Sequence, residues 1–244
     1  MNANISGKKV LITGGTTGLG RATASLLARK GCHVFVCGRS PEHLDEAIGS
    51  VEEQGSKIGG IAMDVGDPAG IEALFAAADA WLGGLDFAIL NAGIGANGPL
   101  TDMTHEECAR LMAVNLTSYI ACSLEAMKRM TAAGSGHIVM TGSMSAHVFD
   151  NGAAVYTATK CGIRGFATSL RKEANPRGVK VSYIEPGTMS SEMVDESSEE
   201  QERMKREMVM LRVEDVAETI NFILTRPPEC DIISLQIRPH LQII

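Results

Sequence analysis

Val10-Leu11-Ile12-Thr13-Gly14-Gly15-Thr16-Thr17-Gly18-Leu19-Gly20 runs from a short apolar stretch through a glycine-rich turn into an amphipathic stretch. Residues 10–13 read as a strand. Residues 18–30 read as a helix, closed by Arg29 and Lys30 in its last turn and Gly31 after it. A glycine turn joining a first strand to a first helix lets the backbone come close to a pyrophosphate and aims the helix's leading N–H groups at it. A glycine cluster alone is weak evidence. Here a strand precedes it and a helix follows it at the start of an alternating chain, which makes Gly14, Thr16, Thr17, Gly18, Leu19 and Gly20 candidate phosphate-binding residues.

The alternation continues outward from this turn. Strands are expected at 34–37, 57–64, 87–91, 137–141, 179–185 and 232–237. Ser40-Pro41 and Asp67-Pro68 start helices with a capping side chain and a proline in the first turn. Thr104-His105-Glu106-Glu107 is a capping box opening a helical region to about residue 132, with a break near Asn115; further helices are expected at 156–174 and 214–225. Seven strands alternating with about six helices imply an α/β fold, a Rossmann-like doubly wound parallel sheet with helices on both faces, in a single domain over residues 1–244. The segment 190–210 is charged, rich in Ser and Met, and has no strand pattern; a substrate lid over 189–212 is the expectation, a solvated helical insertion the alternative.

Composition narrows the class. Hydrophobic residues make up 45% and charged residues 21%, enough for a large core. The net charge is −7 with no basic tract, which argues against nucleic acid as a partner. No apolar run is long enough to span a bilayer, and a strand begins too early to leave room for a signal peptide, so a cytoplasmic protein is expected. The six cysteines form no CxxC pair and no Cys/His cluster with zinc spacing, so reduced thiols and no metal are expected.

The catalytic candidates lie further along. Tyr156-Thr157-Ala158-Thr159-Lys160 is a Y-x-x-x-K pattern, and residues four apart share one helix face. An ammonium near a phenol favours the phenolate, which suits proton exchange with a carbonyl or alcohol oxygen. The spacing T-G-x-x-x-G-x-G at 13–20 together with Y-x-x-x-K resembles the short-chain dehydrogenase/reductase family. That resemblance covers essentially the whole chain and implies a tetrad of Asn115, Ser143, Tyr156 and Lys160, with Ser143 standing 13 residues before the tyrosine. It also implies that Asp64 and Val65 meet the adenine, that Asn91-Ala92-Gly93 closes the fourth strand, and that Pro186, Gly187, Thr188, Met189 and Ser191 surround the nicotinamide, with Lys160 on its ribose. Leu90 stands where the family carries an asparagine that ties neighbouring strands together.

Cofactor choice is read at the end of the second strand. Gly38 stands where NAD-preferring members carry Asp, and Arg39 follows. A missing carboxylate and a present guanidinium favour NADP(H), with NAD(H) the alternative, and Gly38 is expected to leave space for the 2′-phosphate. The resemblance implies an oxidoreductase that interconverts a carbonyl and an alcohol on a small polar substrate by hydride transfer. The tail, which lacks the common Val-Asp-Gly-Gly segment, resembles the NADP-dependent 3-hydroxy-acid and clavulanate-aldehyde reductase branch. Alternatives are a 3-oxoacyl reductase acting on acyl carrier protein, docking through Arg110, Lys128, Arg129 and Arg164, and a non-catalytic dinucleotide sensor. Met144, His147, Asn151 and Met193 are pocket candidates, and assembly as a homodimer or homotetramer is expected.

Overall fold

The computed structural model describes residues 3–190 and 196–243. Seven strands form one parallel sheet: β1 (Lys9–Thr13), β2 (His33–Gly38), β3 (Ile58–Ala62), β4 (Phe87–Leu90), β5 (Gly136–Thr141), β6 (Val179–Pro186) and β7 (Ser234–Ile237), in the order β3-β2-β1-β4-β5-β6-β7. The chain winds outward from β1 to β3, then returns to place β4 on the other side of β1. Neighbouring connections diverge at that switch point, opening a crevice at the carboxyl ends of β1 and β4.

Both faces of the sheet are covered, so the central strands are apolar on alternate sides. Val10 and Ile12 pack under α1 (Gly18–Arg29), α2 (Pro41–Glu52) and α9 (Val213–Leu224). Leu11 faces the opposite core, built with α3 (Pro68–Leu82), α5 (Ser118–Ala133) and α7 (Ala154–Ala174). Parallel strands buried on both sides read as continuous apolar runs for this reason.

The caps match the sequence signals. Ser40 Oγ accepts from His43 N, Asp67 Oδ1 accepts from Ala69 N, and both halves of the Thr104–Glu107 capping box open α4 (His105–Met112). A cap of this kind stabilises its helix by about 1 kcal/mol. The break near Asn115 is a π-helical turn over Ala113–Thr117, whose extra residue separates α4 from α5. One element is not expected from the sequence, and one lies where a lid or a helical insertion is expected. A four-residue helix, α6 (Ser145–Val148), lies between β5 and α7, and α8 (Ser198–Arg206) occupies part of the expected lid, capped by Ser197. His137, at the start of β5, is buried beside Ser182 Oγ at 2.7 Å, and burial pushes its imidazole down to about 3.

Candidate active site

The glycine turn closes tightly against the strand ends. Gly14 has φ +64°, and a side chain there would meet Ala92 Cα at 2.8 Å. A side chain at Gly20 would run into the carbonyl of Gly14. Thr17 supplies no side-chain cap to α1, and the first turn of that helix holds no acidic residue, so its leading amides suit an anion. The ends of β1 and β4 are tied together by side-chain bonds. Thr13 Oγ1 accepts from Asn91 N at 3.0 Å and Ala92 N at 3.2 Å, and Asn91 Nδ2 donates to Gly14 O. Leu90 is fully buried apolar filling.

Adjoining cavities follow the carboxyl edge of the sheet. One of about 440 Å³ is lined by Thr16, Arg39, His43, Asp64 and Val65. Asp64 accepts from Gly66 N at 2.8 Å and pairs with Arg110 at 2.8 Å. Burial would raise its carboxyl; the amide and the guanidinium outweigh that and hold it below its ordinary value. Arg39 is exposed and has no hydrogen-bond or ion-pair partner among the described residues. Gly38 lines this cavity, and a Cβ added to it would strike the buried side chain of Thr16.

A second cavity of about 530 Å³ runs from Gly14, Thr17, Gly18 and Leu19 past Asn91, Ala92 and Gly93 to Tyr156, Lys160 and Met189. A third, of about 410 Å³, holds Ser143, Met144, Tyr156, Pro186, Gly187 and Thr188. Tyr156 lines both. Lys160 is 5% exposed, donates to Thr141 O at 3.4 Å, and its Nζ lies 5.4 Å from the Tyr156 ring centroid. Asn115, fully buried in the π turn, takes both backbone groups of Ile94: Oδ1 accepts from its N–H and Nδ2 donates to its carbonyl, each at 2.8 Å. Ser143 Oγ donates to Ser145 Oγ at 3.1 Å and accepts from Ser145 N. Ser145 thus touches Ser143.

The three tyrosines divide by environment. Tyr119 and Tyr183 donate to Thr141 O and Lys160 O, and burial pushes both phenols up, so they stay protonated. The Tyr156 hydroxyl has no hydrogen-bond partner among the described residues and faces the cavities.

The pocket candidates separate. Met144 lines the Ser143 cavity. Asn151 lines a different groove, of about 290 Å³, which Tyr156 also borders. His147 does not line the Ser143 cavity; its Nε2 meets buried Glu185 at 2.7 Å, and Arg164 and Gln236 also touch the ring. The reason is local: in the short helix α6 residues 144, 145 and 148 face the cavity and 147 turns toward β6. Ser191 and Met193 lie outside the described residues. Two features escaped the sequence reading. One is the Arg110–Asp64 pair, because a contact between residues 46 apart carries no local signal. The other is the chain end, where Gln242 and Ile243 line the Ser143 cavity.

Comparison with known proteins bears on this geometry. The short chain dehydrogenase family model matches residues 8–202. The chain is 35% identical over 198 residues to a 3-oxoacyl-(acyl-carrier-protein) reductase of Vibrio cholerae, covering 81% of this chain and 80% of that one. Among solved structures, a short-chain dehydrogenase from Burkholderia cenocepacia in complex with NADP superposes with a TM-score of 0.86 at 28% identity, covering 97% of this chain and 98% of that one. A metagenomic short-chain oxidoreductase in complex with NADP gives 0.85 at 27%, covering 98% and 100%. The glycine turn, the parallel sheet and the extent of the family match lead to one conclusion: the chain belongs to the short-chain dehydrogenase/reductase family.

Proposed function

We propose that this protein is an NADP(H)-dependent oxidoreductase that interconverts a carbonyl and an alcohol on a small polar substrate, with Tyr156 as the proton-transfer group. One observation carries the reading: Tyr156 borders both the glycine-turn cavity and the Ser143 cavity, with the buried Lys160 ammonium 5.4 Å from its ring.

The residues present fit the dinucleotide. Side chains at Gly14 and Gly20 would fill the cradle above α1, and Arg39 is available to a 2′-phosphate. Gly14, Thr16, Thr17, Gly18, Leu19 and Gly20 would hold the pyrophosphate end, Asp64 and Val65 the adenine, and Asn91, Ala92, Gly93 and Lys160 the nicotinamide ribose. Pro186, Gly187, Thr188 and Met189, with Ser191, would meet the nicotinamide. When bound, this cofactor supplies or accepts the hydride.

The chain's own groups then manage orientation and the proton. Ser143 donates to the substrate oxygen and holds it beside the Tyr156 hydroxyl. In reduction, Tyr156 gives its proton to that oxygen; in oxidation, it takes the proton back. Lys160, positively charged beneath the ring, stabilises the phenolate left by proton donation. Asn115 fixes the Ile94 backbone and so the loop between the cavities. A positioned acid–base group of this kind contributes about 10²–10⁴-fold.

The Vibrio relative favours a second reading, reduction of a carrier-bound 3-oxoacyl group. Its docking face is weakly supported. Of the four basic candidates, Arg110 pairs with Asp64, Lys128 with Glu125, Arg129 with Asp79 and Glu125, and Arg164 meets His147. A turnover screen with NADPH against small hydroxy acids, aldehydes, cyclic ketones and a carrier-bound 3-ketone separates the two. Turnover of free small carbonyls at rates above the carrier-bound substrate supports the first reading. Activity on the carrier-bound ketone alone replaces it with the second.

A further inference from the structure

The chain end departs from the family pattern, and the structure gives it a position that the mechanism above does not use. After β7, which pairs with β6 and whose Ile237 carbonyl accepts from Gly187 N at 2.8 Å, the chain turns back across the carboxyl end of β6. The turn is held at several points. Arg238 Nη1 donates to Gln242 O at 2.6 Å, and Gln242 N donates to Pro239 O. Leu241 N donates at 2.9 Å to the carbonyl of Met208, a non-glycine residue in the left-handed region at φ +59°. Backbone in that region is uncommon for a side chain of this size and costs energy, and here it accompanies the carbonyl that receives the tail.

Gln242 is the centre of this contact. Its Oε1 accepts from Thr188 N at 3.2 Å and its Nε2 donates to Thr188 Oγ1 at 3.0 Å, so one side-chain amide holds both the N–H and the hydroxyl of Thr188, whose carbonyl accepts from Leu211 N. The approach depends on Gly187: a side chain there would strike Gln242 Oε1 and lie 3.0 Å from both Arg238 Cβ and Pro239 Cδ. Gln242 and Ile243 also line the cavity that holds Ser143 and Tyr156. The five-residue tail is therefore a wall of that cavity and a clamp on the Pro186–Met189 turn.

We infer that the C-terminal residues 239–243 form a strap that completes the nicotinamide end of the cleft, with Gln242 as the positioning residue that holds Thr188 in its binding-competent place. This rests on the reading that Pro186, Gly187, Thr188 and Met189 meet the nicotinamide. With its N–H and hydroxyl fixed by Gln242, Thr188 keeps one orientation, and the turn is spared the ordering that a free loop undergoes on binding. The Thr188 hydroxyl, accepting from Gln242 Nε2, still has its own proton to donate. Gln242 thus orients that proton instead of competing for it.

The test is binding by the full-length chain and three variants: Gln242→Ala, Gln242→Glu and a chain ending at His240. Each is titrated with NADPH, NADP⁺ and adenosine 2′,5′-bisphosphate, a probe that carries the phosphates and adenine but no nicotinamide. Gln242→Ala and the truncated chain are expected to bind NADPH about three- to tenfold more weakly and the bisphosphate unchanged. Gln242→Glu keeps the acceptor for Thr188 N but sets a carboxylate near the nicotinamide, so its affinity ratio is expected to move toward the positively charged NADP⁺. A purely structural tail would not produce that shift. Unchanged NADPH affinity in both Gln242→Ala and the truncated chain, or equal loss of NADPH and bisphosphate, overturns the inference. Tighter NADPH binding overturns it too, by making the strap a competitor for the cofactor. A wild-type chain that binds the bisphosphate but gains nothing from the nicotinamide half overturns the placement of the nicotinamide itself.

Discussion

Arg39→Ala is expected to weaken NADPH binding while leaving NADH binding unchanged. The Arg39 side chain is exposed and lines the cavity that holds Asp64 and Val65; its charge reaches Asp64, but it makes no hydrogen bond or close ion pair among the described residues, so none is lost with it. A charge-assisted bond to a phosphate contributes about 1.5–3 kcal/mol net. Solvent screening at an exposed site puts the effect at the low end, so about 1.5 kcal/mol, or roughly tenfold in affinity, is expected. Reversing the preference is harder than the sequence suggests. A Cβ at Gly38 would strike Thr16 Oγ1 and stand 2.7 Å from its Cγ2 and 2.9 Å from its Cβ, and Thr16 is only 4% exposed. Overpacking of this kind costs about 1–3 kcal/mol, or roughly 3–10 °C of melting temperature for a chain this size. The double change Gly38→Asp with Arg39→Ala should therefore lose NADPH without gaining NADH. Adding Thr16→Gly, which removes every Thr16 atom named above, should be required for NADH to win. The assay is fluorescence titration of both reduced cofactors at one ionic strength, beside thermal melts. Equal losses of NADPH and NADH in Arg39→Ala would refute the phosphate role. A double variant that binds NADH tightly with an unchanged melting temperature would refute the steric argument.

Other outcomes follow from the same structure. Tyr156→Phe should lower turnover by about 10²–10⁴-fold with NADPH affinity nearly intact; near-native rates on a substrate found by the screen would exclude Tyr156 as the proton-transfer group. His137 stays neutral in the fold, with a pKa pushed down to about 3 by burial and by nearby Lys180, whereas the unfolded chain protonates near 6.5. The unfolded state therefore binds the extra proton between those values, and stability falls as pH drops from 6.5 toward 3, by up to about 1.4 kcal/mol per pH unit. Urea denaturation at pH 7 and pH 5 should show this loss in the wild type and a smaller one in His137→Leu; identical slopes would remove His137 as the cause. Ile120 and Leu124, four apart on α5, are 42% and 58% exposed, an apolar stripe that suits burial against a second copy. Light scattering should give a dimer or tetramer, and Leu124→Arg should shift it toward smaller species. A stable wild-type monomer at micromolar concentration would contradict the assembly.

The class of fold and most of the candidate site are readable along the chain because their signals are local. A strand, glycine turn and helix are contiguous at residues 10–29, Tyr156 and Lys160 lie one helical turn apart, and the caps at Ser40, Asp67 and Thr104 act within three residues. Such features follow from backbone geometry and period, whatever packs against them. Contacts between distant segments needed the tertiary structure. Sequence marks Gly38 as a position without a side chain, but only the parallel pairing of β1 with β2, which sets Thr13 beside Cys37, brings Thr16 against it. His147 lies between Ser143 and Tyr156 in sequence, yet the helix α6 turns it to Glu185 and Gln236, 38 and 89 residues away. Thr13 ties the end of β4, because parallel pairing of β1 with β4 sets its hydroxyl beside the Asn91 and Ala92 amides. The tail shows the contrast most clearly. Its composition marks it only as unusual, and Gln242 reaches Thr188, 54 residues earlier, because β7 pairs beside β6 and Gly187 leaves room for the approach. A side chain's partner across the fold is decided by which strands pair and which atoms then compete for the same volume, and neither is encoded within a few residues of it.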